Sequence, residues 1–337
     1  MQRLSFLVVL GALTIVGAGC GADPEPVPPE NGPALLLGRG INLGNKLEAP
    51  TEGDWGSAVQ AWMLTTIKQG GFGTVRVPTR WSAHADTSPP YAIDSVFLDR
   101  VTWVVDQALA ARLMVVLNVH HYEEIFSDPA GQRERFLALW QQIATRFRDY
   151  PDSLVFEVLN EPHDSLTPEL WNGLLVDALA VIRQSNPDRY VILGTGEWGG
   201  IGAMNRLQLP DDDRLIFTFH YYNPFAFTHQ GAEWVSGSNA WLGTTWGTSQ
   251  DKAAVRNDFD TVAAWAAQHH NIPVYLGEFG AYSRAAMDDR IAWTAFVARE
   301  AERRGFSWAY WEFDAGFGVY SNGRWNELHA ALIPYDR

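Results

Sequence analysis

Leu154-Val155-Phe156-Glu157-Val158-Leu159-Asn160-Glu161-Pro162 is the stretch on which the fold turns. Its apolar residues run almost without interruption, as in a strand covered on both faces rather than one alternating between core and water. Pro162, with no N–H to give a ladder, ends it. Runs of the same kind recur at residues 35–42, 74–78, 113–121, 190–196, 215–222, 273–279 and 306–313. Between them apolar residues fall at helical spacing over 57–69, 93–111, 132–148, 168–185, 250–269 and 287–304, with shorter patterns at 199–207 and 325–332. Thr167-Pro168-Glu169 gives one helix an N-cap, a proline in the first helical position and an acid in the first turn. Strand and helix alternating eight times predict an α/β fold, a single (β/α)8 TIM barrel. A doubly wound open sheet is the other arrangement, but no glycine-rich phosphate loop follows the first strand.

The chain has 337 residues, 47% of them hydrophobic, a size that one such barrel fills. Its formal net charge is −14, and because Arg3 is the only charged residue before Cys20, a chain starting at Cys20 would carry −14 − 1 = −15. That surface repels nucleic acid and anionic membranes and suits a neutral or cationic partner. Fifteen tryptophans exceed what core packing asks for, and flat sugar faces are one thing surplus rings can hold. Arg3, the apolar run 4–16 and Gly17-Ala18-Gly19-Cys20 predict a signal peptide at 1–19. The pattern is of the lipoprotein type, with Cys20 lipidated and the protein held at the cell surface or outer membrane; plain cleavage and secretion is the alternative. Cys20 is the single cysteine, so no internal disulfide is expected. Residues 20–32, rich in proline and glutamate, read as a tether, and 33–337 as the catalytic barrel.

Barrel sites gather where the strands end. In order, the predicted strands end on Asn42 and Asn45, Arg76, His120 and His121, Asn160 and Glu161, Glu197 and Trp198, His220 and Tyr222, Glu278, and Trp311 and Glu312. A lone glutamate at a strand end is usually a salt-bridge partner. Glu161 and Glu278, on the fourth and seventh strands, face one another among histidines and aromatics, and such a pair can split the work of breaking a glycosidic bond. Glu157 shares the parity of Glu161 and is expected inside the barrel as a structural carboxylate. Glu197 and Glu312 are reserve candidates, His269-His270 reads as a solvated helix end, and His84 stands open between cleft and surface. Residues 223–249 form a long segment without periodicity. Its Phe225, Phe227, His229 and Trp234 can wall a cleft or pack on themselves, whereas Trp241 and Trp246 read as structural.

Arg76, His120, Asn160-Glu161-Pro162, His220-Tyr221-Tyr222, Glu278 and Trp311 resemble, in type and order, the signature set of family 5 glycoside hydrolases. Gly40-Ile41-Asn42-Leu43-Gly44-Asn45, Glu48-Ala49-Pro50 and the stretches 220–231 and 308–318 are similar to the endoglucanases and glucomannanases of thermophilic bacteria such as Thermotoga. The resemblance covers residues 34–334. It implies a retaining endo-acting hydrolase of β-1,4-linked glucans, with Glu161 as acid/base and Glu278 as nucleophile. It further implies that Asn160 binds the 2-hydroxyl of the sugar being cleaved, that Arg76 and Tyr222 hold the nucleophile, and that His120 and His220 bond substrate and acid/base. Trp311 would floor that sugar, and Asn45, Glu48, His121, His229 and Trp234 would line the glycone side. An endo-β-1,4-mannanase is the alternative main activity, since glucose and mannose differ only at C2.

The expected partner is a polysaccharide, β-1,4-glucan or glucomannan, with no cofactor, no metal, no nucleic acid and no obligate protein partner. Two other classes compete. A metal-dependent hydrolase would use His120, His121, Glu161 and His220, but neighbouring histidines on a strand point opposite ways and a first-strand His-x-His is missing. A silent carbohydrate-binding barrel typically lacks one carboxylate of the pair, and here both stand.

Overall fold

The computed structural model describes residues 37–334. The predicted signal segment, Cys20 and the tether therefore lie outside the described residues, as do the first two residues of the first predicted strand. Eight parallel strands close on themselves: β1 (Arg39–Asn42), β2 (Thr74–Val77), β3 (Met114–Asn118), β4 (Leu154–Glu157), β5 (Val191–Gly194), β6 (Leu215–Tyr221), β7 (Val274–Phe279) and β8 (Ser307–Tyr310). Closure is made by β8 pairing with β1, Gly40 opposite Ala309. The barrel expected from the alternation is the one observed.

Helices Ala61–Gln69, Ser95–Ala110, Pro129–Arg146, Pro168–Arg183, Ser249–Gln268 and Met287–Arg303 form the outer ring. Their starts follow from sequence. Asp94, Asp128 and Thr167 each accept a backbone N–H of the first turn, and Thr248 and Asp251 form a reciprocal capping box. One crossover departs from expectation. Between β5 and β6 the chain makes only a 3-10 turn, Ile201–Arg206, because glycines at 200 and 202 weaken so short a helix.

Packing is layered. Trp140, Trp171, Trp293 and Trp308 are fully buried among the strands and helices. Inside the barrel Val116, Val155, Ile192, Ile216 and Tyr275 belong to one apolar cluster. Side chains two residues further along share a face. The next layer up is thus Asn42, Arg76, Asn118, Glu157 and Thr218, all buried and all polar. The interior changes from apolar to polar within two residues, just below the mouth.

One irregularity sets the site. The β6–β7 register runs Phe219 with Leu276, then His220 with Glu278, so Gly277 is skipped. A Cβ at Gly277 would lie 2.7 Å from Thr218 Oγ1 and 3.0 Å from His220 Nε2, so only glycine leaves room for the imidazole.

Candidate active site

The strands stop earlier than the apolar runs suggest. The β4 ladder ends at Glu157, and Asn160 and Glu161 lie on the turn beyond it, where the Asn160 N–H donates to the Val119 carbonyl (2.9 Å). Glu161 has a left-handed backbone, φ 44°. Asn45, His121, Glu197 and Trp198 are also left-handed without being glycine, at φ 61°, 48°, 55° and 63°. Such residues cost free energy individually and cluster where a site fixes them.

Arg76 is the hub. Its guanidinium is fully buried and donates through Nη1 to Glu278 Oε1 (2.7 Å) and Asn42 Oδ1 (2.9 Å). Nε donates to Glu157 Oε2 (2.6 Å), and Nη2 donates to Glu157 Oε1 (2.9 Å) and Asn160 Oδ1 (2.7 Å). Glu157 is thus the buried structural carboxylate expected, a bidentate partner that fixes the arginine plane. Asn42 passes the order on, its Nδ2 donating to the Gly277 carbonyl (3.0 Å).

Glu278 accepts a second bond at Oε2 from the Tyr222 hydroxyl (2.9 Å). Burial works to raise its pKa, but the charges of His220 and Arg76 and the bonds from Arg76 and Tyr222 outweigh it and hold the carboxyl below its ordinary value. Glu161 is differently placed. A fifth of its side chain remains open, and Oε1 faces His220 Nδ1 at 2.7 Å. The same nitrogen is 3.7 Å from Glu278 Oε2. Burial would depress His220, yet Glu278 and Glu161 more than compensate and leave its pKa raised. One oxygen of Glu161, one of Glu278 and a nitrogen of His220 all lie within 4.8 Å of one another.

Around this core the remaining predicted residues assemble. His120 lies parallel to Trp311 with centroids 5.9 Å apart, and its Nδ1 meets Asn118 Nδ2 at 3.0 Å. Gly44 lies against the Trp311 ring, where a Cβ would come within 2.8 Å of Cζ2. The peptide bond from Trp311 to Glu312 is cis. Glu48 is 1% exposed, and its carboxylate accepts the N–H groups of Asn45 and Lys46, the latter at 2.9 Å. It therefore acts beneath the loop that carries Asn45. Burial pushes its pKa up to about 7. Burial also lowers His120 well below the usual imidazole range and His229 to about 4. Burial lowers His121 to about 4 as well, against the opposing charge of Glu278. These three are neutral at neutral pH, suited to uncharged hydroxyl groups.

The rule that neighbouring histidines point apart fails here. β3 ends at Asn118, and the left-handed backbone of His121 brings its ring to 4.5 Å from that of His120. Trp55 stands edge-on to His121 at 5.5 Å. Segment 223–249 is a packed loop with a short helix, Phe225–Thr228, and a 3-10 turn, Ser238–Trp241. Gln230 stitches it by donating to the Phe227 and Thr244 carbonyls and accepting from the Gly243 N–H. Trp246 is buried against Phe296, while Trp241 is half-buried edge-on to Phe225. His229 stacks on Phe225, and Trp234 stays 59% exposed beside Tyr282. Glu197 turns outward to Arg206 (2.6 Å), and His84 stacks on Phe97. Glu312 is wholly buried with its pKa up to about 8. Asn42, placed by sequence among the strand ends but given no role there, ends β1 and joins the polar layer through Arg76. His163 went unnoticed; it lies two positions past Glu161 and donates from Nδ1 to the Glu161 carbonyl (2.5 Å).

Residues 39–316 match the model of the Cellulase family, glycosyl hydrolase family 5. The chain belongs to that family. Endoglucanase H of Acetivibrio thermocellus is 40% identical over 286 residues, covering 85% of this chain and 30% of the relative. Cellulase/esterase CelE of the same organism is 32% identical over 294 residues, covering 81% of this chain and 35% of the relative. The chain thus spans about a third of the length of these curated relatives. Among solved structures, Thermotoga maritima Cel5A in complex with cellobiose is 53% identical with a TM-score of 0.87, covering 88% of this chain and 98% of that one. The same enzyme in complex with mannotriose is 52% identical, again with a TM-score of 0.87, at 88% and 98% coverage. The resemblance read from the signature residues is therefore met by this family-wide match.

Proposed function

We propose that this glycoside hydrolase is an endo-β-1,4-glucanase that works by double displacement with retention at the anomeric carbon. The observation that carries the reading is the pair Glu161 and Glu278, with oxygens within 4.8 Å and environments that differ in kind. Such closeness supports the ~5–5.5 Å spacing of retaining pairs over the ~6.5–9.5 Å of inverting ones. Glu278, kept ionised by Arg76 and Tyr222, is the attacking carboxylate. It bonds to the anomeric carbon while Glu161, bonded to His220, gives its proton to the departing oxygen. A water then bonds to the anomeric carbon, Glu161 takes the water's proton, and the bond from that carbon to Glu278 breaks to return the carboxylate. Asn160, fixed by Arg76, is placed to bond the 2-hydroxyl. Trp311 lies under the sugar with His120 beside it, and Asn45, His121, His229 and Trp234 border the glycone end, with Glu48 supporting the Asn45 loop.

Proton NMR of β-glucan or cellopentaose hydrolysis tests the mechanism. The first-formed product is expected as the β-anomer, and α-anomer in the first turnovers would overturn it. An endo-β-1,4-mannanase activity is a second reading, favoured by the mannotriose complex of the similar Thermotoga protein. Parallel kcat/KM on β-glucan, carboxymethylcellulose and pure β-1,4-mannan ranks the two, and a mannan value above the glucan values would reverse the order. A metal role for Glu161, His220 and Glu278 meets an obstacle, because the Arg76 cation already lies 2.7 Å from Glu278 and would repel a second cation there.

A further inference from the structure

We propose that Asn118 and Thr228 lock His120 and His229 in opposite tautomers. One ring can then only donate a hydrogen bond to the sugar, and the other can only accept one. Asn118 and Thr228 are positioning residues in this scheme, acting through the rings they face. The inference rests on the reading of the cleft above, in which both rings border the bound sugars.

A neutral imidazole carries one ring hydrogen, and the partner of one nitrogen decides which nitrogen bears it. Burial keeps both rings neutral at neutral pH. His120 turns Nδ1 toward Asn118 Nδ2, 3.0 Å away. The orientation of that amide is forced from both ends. The Thr79 N–H, which can only donate, meets Oδ1 at 3.2 Å, and the Glu157 carboxylate, which accepts from Arg76, meets Nδ2 at 3.4 Å. Nδ2 is a donor only, so its second hydrogen goes to Nδ1 of His120. The ring hydrogen of His120 therefore sits on Nε2.

His229 is fixed in the opposite sense. Its Nδ1 lies 3.0 Å from Thr228 Oγ1. The Thr228 hydroxyl has one hydrogen, and it goes to the Tyr222 carbonyl at 2.6 Å, with the Phe225 carbonyl, also an acceptor, at 3.4 Å. What Oγ1 offers His229 is a lone pair, so Nδ1 carries the hydrogen and Nε2 is bare. Stacking on Phe225, centroids 4.1 Å apart, and the edge-on Tyr222 ring at 4.9 Å hold the imidazole plane. Trp311 and His121 do the same for His120.

The two Nε2 atoms are what remain for a ligand. Neither has a hydrogen-bond partner among the described residues, and neither is one of the polar atoms sealed from solvent without one, so both open onto the cleft. A sugar hydroxyl can donate or accept, and these rings remove the choice. A hydroxyl on His120 must offer a lone pair, and one on His229 must offer its hydrogen. The Thr228 bond also ties His229 to the backbone of Tyr222, whose own hydroxyl holds Glu278. Sugar orientation and nucleophile are thus set from one residue.

Long-range proton–nitrogen correlation NMR on the full chain, isotope-labelled at its histidine nitrogens and free of substrate, reads the tautomers directly. His120→Gln and His229→Gln identify the two rings. His120 is expected with its hydrogen on Nε2 and His229 with its hydrogen on Nδ1. Thr228→Val keeps the shape of threonine without the hydroxyl, so His229 should lose its single tautomer while kcat/KM on cellohexaose falls roughly fivefold, the scale of one hydrogen bond. Thr228→Ser keeps the hydroxyl and should recover the tautomer and most of the rate. Asn118→Asp sets an acceptor against Nδ1 and should move the His120 hydrogen there; the wild-type spectrum decides the matter even where that variant does not fold. Either ring in the other tautomer, or a mixture in either, overturns the proposal. So does a changed His229 tautomer in Thr228→Val with unaltered kinetics. A wild type with the stated tautomers that releases no reducing ends from β-glucan or mannan would instead overturn the proposed function, and the sugar-orienting role with it.

Discussion

Replacing Tyr222 by phenylalanine removes one hydroxyl and nothing else from the neighbourhood of Glu278. That hydroxyl donates to Oε2 at 2.9 Å, while Arg76 continues to hold Oε1 at 2.7 Å. A hydrogen bond to a buried charge contributes about 1.5–3 kcal/mol. Since about 1.36 kcal/mol corresponds to one pH unit, and since Arg76 and His220 remain, the acid limb of kcat/KM should move up by roughly one pH unit. The sign follows from the state required: Glu278 works ionised, its pKa is depressed in the folded protein, and losing a donor raises it. Linkage gives a second readout. The depressed pKa contributes stability that is present above the unfolded value and lost as pH falls through the folded one. The variant has less to lose, so its acid-side decline in Tm should be shallower. The pH profile on β-cellobiosyl fluoride isolates Glu278, because fluoride departs without a proton from Glu161. An acid limb that stayed in place in Tyr222→Phe would refute the assignment of Tyr222 to the nucleophile.

Gly44→Ala pushes a methyl to within 2.8 Å of the Trp311 ring, so the sugar floor must move; kcat/KM should drop roughly ten- to a hundredfold with Tm nearly unchanged, and unaltered kinetics would remove Trp311 from the floor. Glu312 has its pKa pushed up to about 8 by burial, with Asp314 and Glu48 adding to the shift and the Phe317 N–H and Lys46 opposing it. The stability it contributes is complete below the unfolded carboxylate value and is lost as pH rises from there through about 8, so Glu312→Gln should flatten Tm over roughly pH 4.5–8, and a slope equal to wild type would contradict this. Glu278→Gln keeps the shape of the nucleophile without its charge, and turnover on β-glucan should fall by at least about 10³-fold. Activity in excess EDTA should equal that in its absence; a loss restored by one divalent metal would revive the metal-dependent alternative.

Most of the barrel was legible because a strand buried on both faces leaves a continuous apolar run, and six of the seven segments between strands carried full helical spacing. The ends were not. Asn160-Glu161 read as the tip of a strand, but the ladder stops at Glu157 and tertiary bonds, such as that from the Asn160 N–H to Val119, take over. The same reason defeated the alternation rule at His121. Left-handed backbone at Glu161, His121 and Trp198 has no local signal, because these are not the glycines and asparagines that adopt it unaided. The polar layer was half readable: parity placed Glu157 inside, but nothing in sequence says that Asn42 joins it through Arg76. Trp198 was visible as a strand-end aromatic, while its flat stack on His163, centroids 3.5 Å apart, has no signal in the sequence.

Arg76 ties four staves of the barrel with one side chain. From β2 it reaches Asn42 on β1, Glu157 and Asn160 at β4, and Glu278 on β7. Until those strands have closed, the guanidinium lacks partners that its burial demands, and a half-closed barrel would hold an uncompensated cation. Ring closure and assembly of the nucleophile are therefore a single event. The molecule has no way to keep a working site in a partly open barrel, so loss of turnover on heating should coincide with global unfolding, and efforts to loosen this site for new substrates would best start from the rim.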